Sequence, residues 1–355
     1  MIDVVMRQGD RLIRYVQPVG RHAVHGLAAE VYDQVAHDFV LAPPMTLHAS
    51  APELLAGAWM LTRETMLVGR VPRHSKETVA AAVSELNGCP FCVDIHSMMT
   101  HASEPEGPGA AGPSKPADSL AAWARATRTP GAAVLREPPF PAQDTPEIVG
   151  TAVAFHYINR MVNVFVDELP ISRLGRFRDA SRRMLARGMR GLVRRNPRPG
   201  DSLSLLPPAE LPEDLAWTRA NPAVAGAYAR FAAAADACGQ EILPSEVRRV
   251  ATDSLERWSG EDPGLGTGWI DAAIAGLPVR EQPAARLVLL TAMASYRVDG
   301  DVVEAFRRDR PADRDLVGAV AWASFAAARR TASWLAGADS LRHRDKAASG
   351  APGGC

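Results

Sequence analysis

The chain is short of cysteine, short of aromatic residues, without net charge and without a long apolar run, and each shortage removes a class of protein. Four cysteines, Cys89, Cys92, Cys238 and Cys355, are too few to staple 355 residues into a disulfide scaffold. Phe, Trp and Tyr make up only 6% of the residues, while Ala, Leu, Glu and Arg are plentiful. A sheet core would want more β-branched and aromatic side chains, so the composition predicts an all-α protein. Forty basic residues balance forty acidic ones, and no global field points to nucleic acid or to an anionic membrane. The densest apolar stretch, Leu287 to Ala294, is far short of the roughly 18 to 20 residues of a membrane span, so none is expected. The first ten residues carry no basic region ahead of an apolar one, which makes a reducing cytoplasmic setting the expectation. In such a compartment the close pair Cys89 and Cys92 calls for chemistry rather than crosslinking.

What is present reads as helices in two similar halves. Apolar positions Leu54, Leu55, Ala58 and Leu61 mark one helix and Val79, Ala82, Val83 and Leu86 a second, separated by Pro72, with Ser75 a candidate cap. Residues 102–119 turn to Glu, Pro, Gly, Ala and Ser without periodicity, the composition of a flexible insertion. Helix resumes at Leu120, and another starts near Pro146. At an offset close to 168 residues Ala56-Gly57-Ala58-Trp59 returns as Ala225-Gly226-Ala227-Tyr228. Leu120 to Trp123 returns as Leu287 to Leu290, and Ile148 to Val153 as Leu316 to Ala321, in the same order. A tandem duplication accounts for that order. The expected division is a first repeat over 1–196, a linker over 197–220, a second repeat over 221–340 and a flexible tail over 341–355. Ten arginines between Arg173 and Arg198 alternate with Leu174, Phe177, Met184, Leu185, Met189 and Leu192. That is a basic amphipathic helix over about 173–195, expected to be solvated or to pack the two halves together.

The stretch from Asn87 to His96 carries the chemistry. Asn87-Gly88 stops one helix and Pro90 suits the first turn of the next, which puts Cys89 at the cap. Spacings of three and seven residues bring Cys92 and His96 within about 60° of Cys89 on one helix face. A helix N-terminus lowers a thiol pKa from its reference near 8.5, because unpaired N–H groups favour the thiolate. Glu77, on the preceding helix, folds back toward the dithiol. Three other readings are weaker. Zinc could use Cys89, Cys92 and His96 with Glu77, but its ligands usually come from separate turns. A thioredoxin fold would need a strand before the motif. Haem attachment would need His where Val93 stands.

With Glu77, Cys89, Cys92 and His96 in the pattern Glu-x11-Cys-x2-Cys-x3-His, the sequence resembles the redox branch of the alkylhydroperoxidase D and carboxymuconolactone decarboxylase family. Asn159-Arg160 is similar to that family's later Asn-Arg helix, and the resemblance covers about residues 50–165. It implies an all-α fold in which Cys92 is peroxidatic, Cys89 is resolving, and Glu77 with His96, through water, forms the proton relay. It also implies a thiol peroxidase acting on hydroperoxides with no bound cofactor and no metal, reduced by an external lipoyl or thioredoxin-like dithiol protein and assembled as a homo-oligomer. A redox sensor using the same dithiol without efficient turnover is the alternative; lactone decarboxylation is disfavoured because that branch does not use the dithiol. Phe91 stands where the best known redox member has His between the cysteines, which bears on the relay or on donor contact.

The region of the second half that faces the motif, 250–268, holds Glu256 and Trp258 but neither cysteine nor histidine, so this degenerate copy is expected to be silent and structural. Cys238 and Cys355 lack partners and are expected to pack and to fray. His48, His74 and His101 are expected to be solvated or capping; His156 is a candidate for the pocket lining.

Overall fold

A computed structural model describes residues 9–104 and 115–349. Among them there is no strand, only a single antiparallel bridge between Ile13 and Val166, and the chain is all-α. Its helices are α1 (Gly26–Asp38), α2 (Pro43–Thr46), α3 (Pro52–Thr62), α4 (Arg73–Leu86), α5 (Pro90–Ala102), α6 (Lys115–Arg125), α7 (Ala133–Arg136) and α8 (Thr145–Phe165). They continue with α9 (Arg178–Val193), α10 (Pro222–Ile242), α11 (Ser245–Arg257), α12 (Gly268–Ile274), α13 (Gln282–Ala294), α14 (Gly300–Arg307) and α15 (Asp313–Ser349). No described helix is long and apolar enough to cross a membrane.

Two helices have apolar residues on every side, the mark of an element with no solvent face. In α3 every residue from Leu54 to Leu61 is buried, and α8 is buried along its whole length. Around them the rest is laid: α4 and α15 pack on α8, and α10 packs on α3. Prolines at the first turns of α3, α5, α8, α10 and α13 sit where the missing N–H costs nothing. The start of α4 departs from expectation: Pro72, not Ser75, occupies its N-cap position.

The three sequence pairs fall on α3 and α10, on α6 and α13 and on α8 and α15, and the first and third pairs touch. Gly57 of α3 lies so close to α10 that a Cβ there would stand 2.2 Å from the Phe231 ring. The Phe231 ring in turn packs edge-on against Tyr157 of α8 at 4.9 Å and tilted against Phe325 of α15 at 4.6 Å. The Tyr228 hydroxyl donates to the Gly150 carbonyl at 2.7 Å. One apolar core therefore runs unbroken through both halves, and the boundary between them divides the sequence rather than the core.

The segments that connect and follow the two halves carry structure of their own. Residues 197–220 are a pinned strap with two 3-10 turns, Asp201–Leu205 and Glu213–Thr218. Glu64, fully buried, accepts from the Gly200 N–H at 2.8 Å and the Ser202 hydroxyl at 2.6 Å, while Arg63 donates to the Arg198 carbonyl at 2.9 Å. Burying Glu64 is tolerable because Arg63 and these donors satisfy it. Of the insertion expected over 102–119, residues 105–114 lie outside the described residues; α6 is already helical from Lys115. α15 continues to Ser349 where a tail was expected from 341, and Cys355 lies outside the described residues. Cys238 packs, as expected, against α15, its sulfur 2.6 Å from where a Cβ on Gly318 would sit.

The basic helix is found, as two 3-10 turns followed by α9, and among the described residues its main packing is on the first half rather than between the halves. It lies across α5 through a small cluster of Met98, Met99, Ala102, Ile171, Ala186 and Met189. Asp94 of α5, buried, anchors it: Oδ1 accepts from Arg178 Nε at 2.7 Å and Arg182 Nε at 2.8 Å, and Oδ2 accepts from the Ser172 hydroxyl.

Candidate functional site

The helix α4 ends because Asn87 leaves the helical conformation and Gly88 takes φ +58°, a left-handed position that suits glycine. The Cys89 N–H still bonds back to the Ser84 carbonyl at 3.0 Å, so the reversal is tight and α5 packs antiparallel on α4. Cys89 is the N-cap of α5, Cys92 lies in its first turn and His96 one turn further. Both thiols are buried, at 1% and 2% exposure.

The four motif residues do come together, but as two layers. In the outer layer Cys92 and His96 line an apolar cavity of about 100 Å³ walled by Phe39, Met45, Trp59, Met66, Phe91, Ile95, Met99, Phe155 and Ile158. Met189 and Leu192 of α9 roof it. In the layer behind, Glu77 has no exposure. Its Oε2 meets His96 Nδ1 at 2.6 Å and its Oε1 accepts from Arg73 Nε at 2.6 Å. Burial pushes the Glu77 carboxyl up, but the Arg73 and His96 charges and hydrogen bonds outweigh it, so its pKa lies below the ordinary carboxylate value. An ionised carboxylate only accepts, so His96 Nδ1 donates to it, and in the neutral form of the ring the lone pair falls on Nε2. The imidazole is held edge-on against Phe155 at 4.5 Å.

The expected effect of the helix N-terminus on Cys89 is overturned. Burial, with the hydrogen bond and charge of Cys92 adding to it, pushes the Cys89 thiol well above its ordinary value. The backbone N–H of Cys92 and the Asn159 side chain act the other way and do not offset it. Helix-end N–H groups favour a thiolate by at most about 2 kcal/mol even in favourable geometry; loss of hydration in an apolar site exceeds that.

Behind Cys89 lies a polar network. Asn159 donates to Ser84 Oγ at 3.0 Å and accepts from Asn87 Nδ2 at 3.0 Å. Asn87 Nδ2 also reaches His156 Nδ1 at 3.1 Å. The Thr127 hydroxyl donates to the Ala124 carbonyl, so at 2.9 Å it accepts from His156 Nε2–H. His156 is thus a neutral, fully buried structural histidine, its pKa pushed well down by burial and by Arg160 and Arg128; it does not line the cavity. His48 is likewise buried rather than solvated, bonded to the Tyr157 hydroxyl at 2.7 Å, with a pKa lowered to about 4 by burial. His74 and His101 lie near the surface of the same region, half-buried.

Sequence reasoning missed Arg73, the second partner of Glu77, although its i, i+4 spacing could have suggested it. It also missed Asp94, whose partners lie 84 and 88 residues away. Among the described residues no group of three or more His, Cys, Asp or Glu is placed to share a metal ion.

The chain is 35% identical over 339 residues to the alkyl hydroperoxide reductase Rv2159c of Mycobacterium tuberculosis, with 92% of this chain and 96% of that protein covered. No protein-family model matches the chain.

Proposed function

The chain belongs to the alkylhydroperoxidase D and carboxymuconolactone decarboxylase-like family of redox proteins, and from that premise we propose that it is a thiol peroxidase that reduces organic hydroperoxides through Cys92 and Cys89. The observation that carries the assignment is the layering. Cys92 faces the cavity with His96, whereas Cys89 is enclosed behind it. A hydroperoxide entering the cavity meets one sulfur only.

In this reading His96 Nε2, directly or through one water, takes the Cys92 proton, and Glu77 stabilises the resulting imidazolium. The Cys92 thiolate attacks the outer peroxide oxygen and breaks the O–O bond. The alkoxide leaves and takes the proton from His96, giving the alcohol and a sulfenic acid on Cys92. Cys89, kept protonated by burial until then, attacks that sulfur; water leaves and the disulfide forms. The sum is two thiols plus ROOH giving a disulfide, ROH and H2O. An external dithiol protein of lipoyl or thioredoxin type then restores both thiols. The second half, lacking cysteine where it faces the motif, supplies packing for α3 and α8. We take it as a degenerate repeat filling the place of a second protomer.

The test is a count of free thiols in reduced, metal-free protein before and after a small excess of cumene hydroperoxide. The expected result is loss of two thiols per chain, no loss of that pair in Cys92→Ser, and a dimedone-trapped sulfenic acid in Cys89→Ser. Full turnover by Cys92→Ser would overturn the reading. Loss of two thiols without turnover, when a dithiol donor is supplied, would favour the redox sensor.

A further inference from the structure

Seven large hydrophobic side chains are exposed among the described residues, and four of them, Leu174, Phe177, Met184 and Leu185, fall within one short segment leading into and along α9. Phe177 is 58% and Met184 60% exposed. Helical spacing places Phe177, Met184 and Arg187 on one outward stripe, with Arg183 beside it. The opposite face of the helix is occupied: Ala186 and Met189 pack on α5, and Met189 with Leu192 roofs the cavity over Cys92.

The charge of this segment is as one-sided as its apolar exposure. Ten arginines face a single acid, Asp179, between residues 173 and 198 of a chain whose net charge is zero. Arg178 and Arg182 are engaged by Asp94, and Arg195 donates to the Phe39 carbonyl. Arg183 and Arg187 are exposed and have no acid partner among the described residues. Exposed apolar side chains interleaved with arginine on one helix face match an interfacial element, in which the rings and thioethers enter the acyl boundary and the guanidiniums meet phosphate.

We propose that the outer face of α9 docks on an anionic lipid surface, which sets the roof of the apolar cavity against the leaflet and gives the enzyme hydroperoxides carried on lipid acyl chains. An acidic protein would satisfy the arginines. It gives no reason for the same helix to present Phe177 and Met184 outward and close an apolar chamber inward, whereas an acyl-chain substrate partitions into the bilayer by about 0.8 kcal/mol per buried CH2. The docking itself stands apart from catalysis; the identity of the substrate rests on the peroxidase reading above.

The experiment is co-sedimentation of the full chain with vesicles of phosphatidylcholine alone and of phosphatidylcholine with phosphatidylglycerol, free of hydroperoxide, at low and physiological salt. Binding is expected only to the anionic vesicles, and weaker as salt rises. The double variant Arg183→Gln/Arg187→Gln should lose about 30-fold in affinity, at about fivefold per arginine. Phe177→Ser should weaken binding without altering salt dependence. These positions are exposed, and unchanged far-UV circular dichroism confirms that the variants fold. Cys92→Ser should bind like wild type, so failure of the peroxidase reading leaves this result readable. No binding to anionic vesicles, or binding insensitive to the double variant, would overturn the proposal. Binding to poly-glutamate in place of vesicles, lost in the double variant, would assign the patch to an acidic protein and overturn it too.

Discussion

Replacing Glu77 by Gln tests the relay most directly, because the shape is kept and only the charge and one acceptor are lost. Glu77 accepts two N–H groups at 2.6 Å with no access to water. Glutamine has one carbonyl oxygen and one NH2 group, so it can keep one of these donors and must present its amide hydrogens to the other. Where His96 loses the contest, its Nδ1 becomes an acceptor, the proton moves to Nε2, and the ring can no longer take a proton from Cys92. Loss of a positioned base costs about 10² to 10⁴ in rate. Loss of a hydrogen bond to a charged group costs about 1.5 to 3 kcal/mol of stability. The assay is the stopped-flow rate of thiol oxidation by cumene hydroperoxide from about pH 6 to about pH 10, a range that spans the reference thiol pKa near 8.5. A thiol that ionises without help needs no base, so the variant's deficit should be largest at neutral pH and shrink as the solution becomes alkaline. The stability effect has the opposite pH sign. Because the folded carboxyl titrates below its unfolded value, its contribution is fully present above about pH 4.3 and is lost as pH falls through the folded value. A rate within about threefold of wild type at neutral pH, or a deficit that persists unchanged in alkali, would refute the argument.

Four further outcomes follow from packing and charge. Asp94→Asn should release α9 from α5, read as faster tryptic cleavage after Arg183 and Arg187; partial exposure of Arg178 and Arg182 holds the cost to about 1 to 3 kcal/mol. The wild-type clasp should loosen the same way in acid. Burial raises the Asp94 pKa, but Arg178, Ser172 and Arg182 bring it below the ordinary value, so the tie holds above about pH 3.9 and fails as pH falls through the folded value. Gly57→Ala should lower the thermal midpoint through overpacking of about 1 to 3 kcal/mol, since its Cβ would strike the Phe231 ring joining α3 to α10. Met189→Trp should fill space under the roof and cut kcat/KM for cumene hydroperoxide about tenfold or more, with hydrogen peroxide turned over at the wild-type rate.

Periodicity made the helices of the first half legible, because α3, α4, α5 and α8 each have a start or stop signal that acts locally: Pro52, Pro90 and Pro146 at first turns, Asn87-Gly88 at a reversal. The connections were not legible for the complementary reason. The strap over 197–220 has the Pro, Gly and Ser of a linker, and it is ordered by Glu64 and Arg63, which lie far away in sequence. Composition describes what a segment can do alone; it does not register a buried carboxylate waiting for two donors. The basic helix shows the same limit. Its amphipathic pattern is visible, yet the face it packs on is decided by Asp94, a residue that reads as one more charge beside a cysteine motif.

The site itself was legible in membership and not in electrostatics. Spacing alone brings Glu77, Cys89, Cys92 and His96 to one place, since one turn and one helix face settle it. Which sulfur lines the cavity depends on the packing of the whole core. The cap position of Cys89 argues for a thiolate, while its enclosure by α4 and α8 argues for a thiol, and burial wins. In the proposed mechanism a resolving thiol that stays protonated does not compete for peroxide, and it becomes useful only when Cys92 has been converted to an electrophile. Two identical side chains three residues apart and equally buried can thus be open to different roles through access to the cavity, which Cys92 and Phe91 line and Cys89 does not.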